Sequence, residues 1–378
     1  MKRILFLTGT RADFGKLKSL IKKVEEHSEF EAHIFITGMH MIAKYGMTAN
    51  EVEKAGFKSL YKYINQNGHD SMDVVLSKTI QGLSDYVKEL QPDMIVVHGD
   101  RVEAMAGAIV GSLNNILVAH IEGGEVSGTI DELIRHSVSK MSHLHFVSNE
   151  TAKSRLLQLG EIDSSIFVIG SPDLDIMNSN YLPSLKEVKK RYDIEFDEYA
   201  VFMYHPVTTE LDKLEYNISE TVTALIKSDK NYIVIYPNND HGSNIIIKEL
   251  DRVRDNNRFK VFPSVRFECF LTILKNALFM IGNSSAGIRE VPFYGTPTIN
   301  LGTRQNNRSK AKSIINVEEN ERLILNAIIS CENQSCVKTR EFGEGNSDKR
   351  FIEIIENPIT WSTDKQKVFR DFIREKNK

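Results

Sequence analysis

Residues 94–125 read MIVVHGDRVEAMAGAIVGSLNNILVAHIEGGE and contain the pattern that decides the fold. Two continuous apolar runs, Met94–His98 and Ile116–Ile121, flank the amphipathic segment Arg101–Leu113. A strand that is buried on both faces has a continuous apolar sequence rather than an alternating one, and such strands are typical of parallel sheets covered by helices. The stretch therefore predicts a strand–helix–strand unit of a doubly wound α/β fold.

The same alternation of apolar runs and helical patterns continues on both sides of this unit. In the first half of the chain, further strands are predicted at Ile4–Thr8, Ala32–Thr37, Leu144–Ser148 and Ile166–Ile169, and helices at Lys16–Glu26 and Ser71–Leu90. In the second half, strands are predicted at Ala200–Tyr204, Tyr232–Tyr236, Lys260–Phe262, Leu278–Ile281, Thr298–Asn300 and Ser313–Asn316, and helices at Leu185–Tyr192, Glu210–Ile226, Ile245–Arg254, Glu268–Leu274 and Ala286–Tyr294.

The chain divides where the alternation weakens, after Gly170-Ser171-Pro172. We predict one Rossmann-like domain at residues 1–172 and a second at residues 173–362, facing each other across a cleft. The charged amphipathic segment Thr363–Lys376 predicts a C-terminal helix within residues 363–378. A chain of 378 residues is long enough for two domains of about 150–200 residues each.

The composition argues against several classes of function. Lys and Arg number 48 and Asp and Glu 51, so the formal charge is −3, and no field of one sign indicates nucleic acid or a membrane surface as a partner. Cys269, Cys331 and Cys336 form neither a disulfide framework nor a zinc spacing, which favours a reducing cytoplasm. The apolar N-terminal run is short and reads as a strand rather than a signal peptide, and no apolar stretch approaches about 18 residues.

Carboxylates and arginines follow the two strands of the quoted stretch. Asp100 and Arg101 come directly after the first strand and Glu122 after the second, where ligands bind in open parallel sheets. Asp131 and Arg135 follow, four residues apart on one face of a predicted helix. Closely placed carboxylates push their pKa values apart, so one site can hold both an acid and a base. Alternatively, Asp100 caps the next helix, and Asp131 and Arg135 form an ordinary surface ion pair.

Two other strand ends in the first half carry weaker signals. Thr8-Gly9-Thr10-Arg11-Ala12-Asp13 follows the first predicted strand, and Arg11 at the mouth of the next helix could grip phosphate. This turn has only one glycine of the dinucleotide fingerprint, and Arg11 could equally be a surface arginine in a plain turn. His40 follows the second strand, where a lone histidine is more often structural than catalytic.

The second half contains a segment suited to phosphate. Ile281-Gly282-Asn283-Ser284-Ser285-Ala286-Gly287-Ile288-Arg289-Glu290 predicts a strand, a glycine turn, two serines and a helix. Serine hydroxyls and backbone N–H groups at a helix start can cradle phosphate, and Glu290 could accept hydrogen bonds from ribose hydroxyls. Ala286 stands where a nucleophile elbow needs its second glycine, so the serines are better binding groups than nucleophiles. His205 and Asn238 follow two other strands of this half.

Taken in order, these motifs resemble the UDP-N-acetylglucosamine 2-epimerase family. The resemblance is closest to the hydrolysing branch, which includes bacterial enzymes of the sialic and legionaminic acid pathways. Gly9-Thr10-Arg11-Ala12-Asp13 and Glu122-Gly123-Gly124-Glu125 are nearer to that branch than to the G-T-R-P-E and E-A-G of non-hydrolysing relatives. The motifs are Thr8–Asp13, Thr37–His40, His98–Arg101, His120–Glu125, Gly128–His136, His205–Pro206, Gly282–Glu290 and Gly295–Gln305.

The resemblance implies a GT-B architecture, with a C-terminal helix that crosses back to the first domain. It implies that the first domain holds the sugar and the second holds UDP. Asp100, Glu122 and Asp131 match the family's catalytic acids, and His205 matches the histidine beside the leaving diphosphate. The implied substrate contacts are Arg11, Lys16, His40, Arg101, Arg135, Asn238, Gly282, Asn283, Ser284, Ser285, Glu290 and Arg304.

The activity implied is cleavage of a UDP-linked 2-acetamido sugar with inversion at carbon 2, through a 2-acetamidoglucal. The products are UDP and N-acetylmannosamine or its 2,4-diacetamido-6-deoxy analogue, with no metal or nicotinamide cofactor. Relatives imply a homodimer or homotetramer. Alternatives are a reversible, non-hydrolysing 2-epimerase, a GT-B glycosyltransferase and a nucleotide-sugar-binding protein without catalysis. The resemblance leaves open which carboxylate acts as base and which as acid.

Overall fold

The computed structural model describes residues 1–67, 70–127, 130–178, 182–238, 240–306, 308–331 and 336–370. The strands of the first sheet are β1 (Lys2–Thr8), β2 (Phe30–Ile36), β3 (Leu60–Lys62), β4 (Met94–His98), β5 (Leu117–Ile121), β6 (Leu144–Val147) and β7 (Ile166–Val168). Their spatial order is β3-β2-β1-β4-β5-β6-β7, and every pairing is parallel.

The second sheet repeats this architecture. Its strands are β8 (Ala200–Met203), β9 (Tyr232–Ile235), β10 (Phe259–Phe262), β11 (Met280–Gly282), β12 (Thr298–Leu301) and β13 (Ile314–Val317), in the parallel order β10-β9-β8-β11-β12-β13. The predicted doubly wound α/β class with two Rossmann-like sheets is therefore confirmed.

Helices cover both faces of each sheet. Those that precede the second sheet are α1 (Arg11–Glu26), α2 (Ala49–Lys54), α3 (Met72–Leu90), α4 (Val102–Leu113), α5 (Ile130–Met141), α6 (Glu150–Gln158), α7 (Asp173–Met177) and α8 (Leu185–Tyr192). The later helices are α9 (Leu211–Lys227), α10 (Ser243–Leu250), α11 (Phe267–Lys275), α12 (Glu290–Tyr294), α13 (Glu321–Cys331), α14 (Ser347–Glu356) and α15 (Pro358–Trp361). Within the described ranges, each helix is too short or too polar to cross a membrane.

The central strands are apolar throughout because both of their faces are buried. Along β1, Ile4 and Phe6 belong to one hydrophobic core, while Leu5 and Leu7 belong to the core on the opposite face. This arrangement removes apolar area from water on both sides, at about 25 cal/mol per Å². Because all of these strands run parallel, their carboxyl ends lie at one edge of the sheet.

The chain returns to the first sheet near its C-terminus. Helix α14 packs against α1, and Phe351 enters the first core, with ring centroids 4.9 Å from Phe146 and 6.5 Å from Phe6. The predicted helix at Thr363–Lys376 is wrong for its described part, because residues 363–370 are not helical. Residues 371–376 of that prediction lie outside the described residues.

Tertiary contacts explain the extended path of residues 363–370. Lys367 Nζ pairs with Glu161 and donates to the carbonyls of Ser142 and Ser139 at 2.6 and 3.3 Å. Glu161 also accepts a hydrogen bond from His145 Nε2 at 3.0 Å. The lysine thus ties this segment to a buried carboxylate and to the end of α5.

Lys367→Ala is expected to lower the free energy of unfolding at pH 7 by about 1–2 kcal/mol, because Glu161 loses a charged partner. Burial raises the pKa of Glu161, but His145 and Lys367 outweigh it and lower that pKa to about 2. The carboxylate therefore stabilises the fold above its unfolded pKa of about 4.3 and loses this contribution as pH falls below that value. Urea unfolding from pH 7 down to about pH 2 measures both effects, since the loss falls between the unfolded and the folded pKa of Glu161.

Lys365→Ala is the matched control, since the same segment carries this lysine with its side chain exposed. We expect it to change stability by less than about 0.5 kcal/mol. Equal losses in the two variants would contradict a specific role for the Lys367–Glu161 pair.

Candidate active site

A cavity lies between the two sheets, at the carboxyl ends of their strands. Its walls come from the turns after β1, β4 and β5 of the first sheet and after β8, β9 and β11 of the second. Most of the site residues suggested by the sequence line it: Arg11, Lys16, Asp100, Arg101, Glu122, Asp131, Arg135, His205, Asn238, Ser284, Ser285, Glu290 and Arg304.

Glu122 stands in an unusual backbone conformation at the end of β5. Its φ is 65°, in the left-handed region, which costs a residue with a side chain about 1–2 kcal/mol. Its backbone N–H donates to the Phe146 carbonyl at 2.9 Å, and its Oε2 lies 3.2 Å from His98 Nε2. Burial raises the pKa of Glu122, but Arg289 and Lys16 bring it well below its ordinary value. The carboxylate is therefore ionised and aimed at the cavity.

Asp100 forms an ion pair with Arg135 rather than capping a helix. Helix α4 begins after Arg101 without a side-chain cap, so the capping alternative does not hold. The Arg135 side chain is only 2% exposed and also donates to the Glu125 carbonyl at 3.2 Å. Burial raises the pKa of Asp100, but the guanidinium groups of Arg135, Arg308 and Arg304 outweigh it and lower the pKa to about 2.

Asp131 binds across the cleft. Arg304 NH2, from the loop after β12, lies 2.9 Å from Asp131 Oδ2, and Arg304 NH1 donates to the Asn283 carbonyl at 3.3 Å. The alternative of an ordinary surface pair between Asp131 and Arg135 is therefore wrong, because Arg135 is buried against Asp100. The motif that introduces Asp131 includes Gly128 and Thr129, which lie outside the described residues.

His205 is held as a neutral hydrogen-bond donor. The side-chain amide of Asn283 accepts from the His205 N–H at 2.6 Å and donates to the His205 carbonyl at 2.8 Å, which fixes the backbone. His205 Nδ1 accepts from the Asn238 N–H at 3.0 Å, so the neutral ring carries its proton on Nε2. Burial lowers the pKa of His205 well below its ordinary value, and Arg304 and Arg101 lower it further.

The segment after β11, which contains the serine turn, has a shorter helix than the sequence predicts. Instead of one helix at Ala286–Tyr294, a single 3₁₀ turn at Ser285–Gly287 precedes the five-residue helix α12. Gly282 has φ 133°, and a Cβ there would lie 2.0 Å from the Met203 carbonyl oxygen, so this position requires glycine. The hydroxyls of Ser284 and Ser285, rather than a long helix dipole, therefore shape this wall of the cavity.

Lys16 and Glu290 join the two halves below the cavity. Lys16 Nζ lies 3.7 Å from Glu122 Oε2, 3.7 Å from Asp173 Oδ2 and 3.8 Å from Glu290 Oε1. Burial raises the pKa of Glu290, only partly opposed by Lys16. Three acidic side chains thus surround one ammonium group below the cavity.

Gly282, Asn283 and His40 do not line the cavity. Gly282 and Asn283 instead shape the serine turn and hold His205. His40 is buried, with Nδ1 2.7 Å from Thr48 Oγ1 and Nε2 3.1 Å from Thr8 Oγ1. Burial lowers its pKa to about 4 despite the nearby Asp13 carboxylate. These positions support the structural reading of His40.

Apolar side chains form one end of the cavity. Arg11 reaches across this end, where its NH1 donates to Ser264 Oγ at 2.9 Å, so it is not a plain surface arginine. Such a slot can hold a planar aromatic ring. The apolar lining consists of Tyr45, Ile235, Tyr236, Pro237, Pro263, Val265, Phe267 and Phe270.

Sequence reasoning missed two buried arginines and their partner. Arg289 NH1 donates to both oxygens of Glu125 at 2.7 Å, and Arg308 NH2 donates to Glu125 Oε2 at 2.6 Å. No local pattern marks the two arginines, because Arg289 is followed by the acidic Glu290 and Arg308 stands between polar residues. Within the described ranges, no group of three or more His, Cys, Asp or Glu side chains has the arrangement of a metal site.

The arrangement combines two chemical capacities in one cavity. A neutral histidine and two serine hydroxyls can donate hydrogen bonds to an anionic leaving group. Ionised carboxylates in the same cavity can accept a proton, and the neighbouring guanidinium groups stabilise the ionised form of these carboxylates. The cavity can therefore support proton removal beside a departing anion.

The chain is similar to known proteins along nearly its whole length. A family model described as UDP-N-acetylglucosamine 2-epimerase matches residues 22–356. A Neisseria meningitidis serogroup B protein named UDP-N-acetylglucosamine 2-epimerase is 49% identical, covering 98% of this chain and 99% of its own length. A Legionella pneumophila protein named UDP-N,N'-diacetylbacillosamine 2-epimerase (hydrolyzing) is 31% identical, covering 94% of this chain and 96% of its own.

A solved structure supports the same architecture. The Methanocaldococcus jannaschii UDP-GlcNAc 2-epimerase, crystallised in complex with UDP-GlcNAc and UDP, matches with a TM-score of 0.80 at 24% identity, over 94% of this chain and 99% of that chain. At this identity the likeness shows the fold alone. The GT-B-like arrangement of two Rossmann-like domains expected from the motifs is thereby confirmed.

Proposed function

Because the chain belongs to the UDP-N-acetylglucosamine 2-epimerase family, we propose that it is a hydrolysing 2-epimerase that converts a UDP-linked 2-acetamido sugar and water into UDP and the free sugar inverted at carbon 2. The observation that carries the proposal is the meeting of Asp100, Glu122 and Asp131 with His205 and the serine turn in one cavity. Proton transfer at carbon 2 and departure of UDP from carbon 1 need these two kinds of group side by side.

In this proposal the two halves divide the substrate between them. The half built on the second sheet (β8–β13) holds UDP, with uracil in the apolar slot and the diphosphate at Ser284, Ser285 and His205. Residues 1–172 hold the sugar beside the carboxylates. The crystallised relative with UDP-GlcNAc and UDP supports a UDP-sugar as the substrate class.

The proposed reaction has two steps. A carboxylate removes the carbon-2 proton, the C–H electrons form a double bond between carbons 1 and 2, and the C1–O electrons leave with UDP. His205 Nε2–H and the nearby guanidinium groups stabilise the departing diphosphate. Water then adds to the 2-acetamidoglucal, with hydroxyl at carbon 1 and a proton returned to the opposite face of carbon 2.

The hydrolysing branch has its own support. The Legionella relative is named as hydrolyzing, and Glu122-Gly123-Gly124-Glu125 is closer to the hydrolysing pattern. The second candidate is the reversible 2-epimerase, in which UDP adds back to the glucal. It is favoured by the name of the Neisseria relative, which carries no mention of hydrolysis.

Proton NMR of the protein with UDP-GlcNAc in deuterated buffer tests the proposal. We expect free UDP and N-acetylmannosamine carrying deuterium at carbon 2. UDP-N-acetylmannosamine at equilibrium would instead identify the reversible epimerase. Absence of reaction calls for UDP-2,4-diacetamido-2,4,6-trideoxyglucose as the next substrate, and a second negative result would refute the proposal.

A further inference from the structure

Arg289 connects the two halves of the molecule inside the candidate site. It lies at the start of α12 in the second half, with a side chain 1% exposed. Its NH2 donates to Glu122 Oε1 at 2.5 Å, and its NH1 donates to both oxygens of Glu125 at 2.7 Å. One guanidinium group thus holds two carboxylates of the first half.

The position of this guanidinium is fixed from several directions. Its Cζ lies 4.8 Å from the centre of the Phe342 ring, a cation–π contact. Its NH2 also donates to Ser171 Oγ, and its Nε lies 3.9 Å from Asp173 Oδ2. A planar fork held at this many points is pre-organised to orient a carboxylate, which lysine could not reproduce.

Glu122 needs a guanidinium partner more than an exposed carboxylate does. Its strained backbone directs the side chain inward, where burial disfavours the charge. Lys16 Nζ is farther away, at 3.7 Å, than the hydrogen-bonded guanidinium at 2.5 Å. Because Arg289 follows the serine turn by only a few residues, the placement of that turn also sets the position of this cation beside Glu122.

We infer that Arg289 is a positioning residue that holds and orients the carboxylate of Glu122 and ties its placement to the serine turn. The inference rests on the proposed function, since it assigns Glu122 to proton transfer at carbon 2. It goes beyond that function by making the proton-transfer group of one half depend on a side chain of the other. Arg289 itself touches neither the reacting carbon nor its proton in this scheme.

Arg289→Gln is expected to reduce kcat/KM at pH 7 by about 10²-fold, the effect of misplacing a reacting group by roughly 1 Å. Without the guanidinium, burial raises the pKa of Glu122. The carboxylate is then neutralised as pH falls through the raised pKa, so kcat/KM acquires a limb that declines toward acid. The wild type, whose Glu122 pKa is well below its ordinary value, lacks this limb above pH 5.

Glu125→Gln is the matched comparison. It weakens the second contact between the halves, because the side chain at position 125 loses its charge toward both Arg289 and Arg308, while the Arg289–Glu122 contact stays. Removing a neighbouring negative charge cannot raise the pKa of Glu122, so no acid limb is expected. The readouts are pH profiles of kcat/KM from pH 5 to 9, UDP affinity by calorimetry, and thermal unfolding.

Each outcome of these measurements supports the inference or overturns it. A new acid limb in Arg289→Gln alone, with UDP affinity retained, supports it. An equal loss of kcat/KM in Arg289→Gln and Glu125→Gln, with no decline toward acid in either variant, overturns it. A loss of UDP affinity in Arg289→Gln as large as its loss of turnover also overturns it. If Arg289→Gln does not fold, Arg289→Lys replaces it: a lowered kcat without a limb supports the inference, and wild-type kcat overturns it. Failure of the wild type to release UDP would refute the proposed function instead.

Discussion

Glu122→Gln is expected to reduce the rate of UDP release from the UDP-sugar by about 10³-fold, within the range for loss of a general acid or base. Glutamine keeps the shape of the side chain and its hydrogen bond from Arg289, but it cannot accept the carbon-2 proton. Since Glu122 stands at the end of β5 and the serine turn belongs to the second sheet, the affinity for UDP should stay close to that of the wild type.

Steady-state release of UDP and calorimetric titration with UDP measure the two quantities. Glu161→Gln is the control, because Glu161 is also a buried carboxylate with a lowered pKa but does not line the cavity. This control should lose stability and retain turnover in its folded fraction. If Glu122→Gln instead lost UDP affinity along with activity, the division of roles between the two halves would be wrong.

The same experiment on the other carboxylates separates their roles. Asp100 is paired with Arg135 inside the first half, while Asp131 is paired with Arg304 across the cleft. A variant that releases UDP but accumulates the 2-acetamidoglucal has lost the group that returns the proton to carbon 2, whereas a variant that releases no UDP has lost the group that removes it. We expect Glu122 to be the carboxylate that removes the carbon-2 proton, because its strained backbone and its guanidinium partner both fix the orientation of its side chain.

Much of the fold was predictable because burial leaves a direct trace in the sequence. The interior strands are covered on both faces, as Leu5 and Phe6 in opposite cores illustrate, so their apolar runs are continuous. β3 (Leu60–Lys62) was missed because it is partly exposed and has no apolar run. The predicted C-terminal helix failed because an amphipathic pattern cannot show that Lys367 binds Glu161, more than 200 positions away in the chain.

The candidate site was predictable in its positions but not in its pairings. Asp100 and Glu122 were found because they follow buried parallel strands, whose carboxyl ends meet at one edge. Local spacing suggested that Asp131 pairs with Arg135, whereas the fold gives Asp131 the distant Arg304. Pairs between the two halves depend on how the sheets face each other, and no local pattern records that.

His205→Phe is expected to lower kcat by about 10²–10³-fold, because the departing diphosphate loses a pre-organised donor in a buried site. Phenylalanine retains a ring of similar size at a position whose backbone Asn283 holds with two hydrogen bonds. The free energy of unfolding should therefore change less than the rate. Single-turnover kinetics of UDP release isolates the bond-breaking step from product departure.

The pH profile carries an additional expectation for His205. Burial lowers its pKa well below 6.5, so the ring remains the neutral Nε2–H donor from neutral pH down through the usual histidine range. Titration of His205 should therefore cause no inflection of the wild-type rate near pH 6.5, and the pH profiles of the wild type and His205→Phe should have the same shape there. His145→Gln serves as the control, since His145 is a buried histidine that binds Glu161 outside the cavity. A His205→Phe variant with wild-type single-turnover rate would show that the diphosphate departs without help from His205, and the arginines of the cleft would then have to stabilise the leaving group alone.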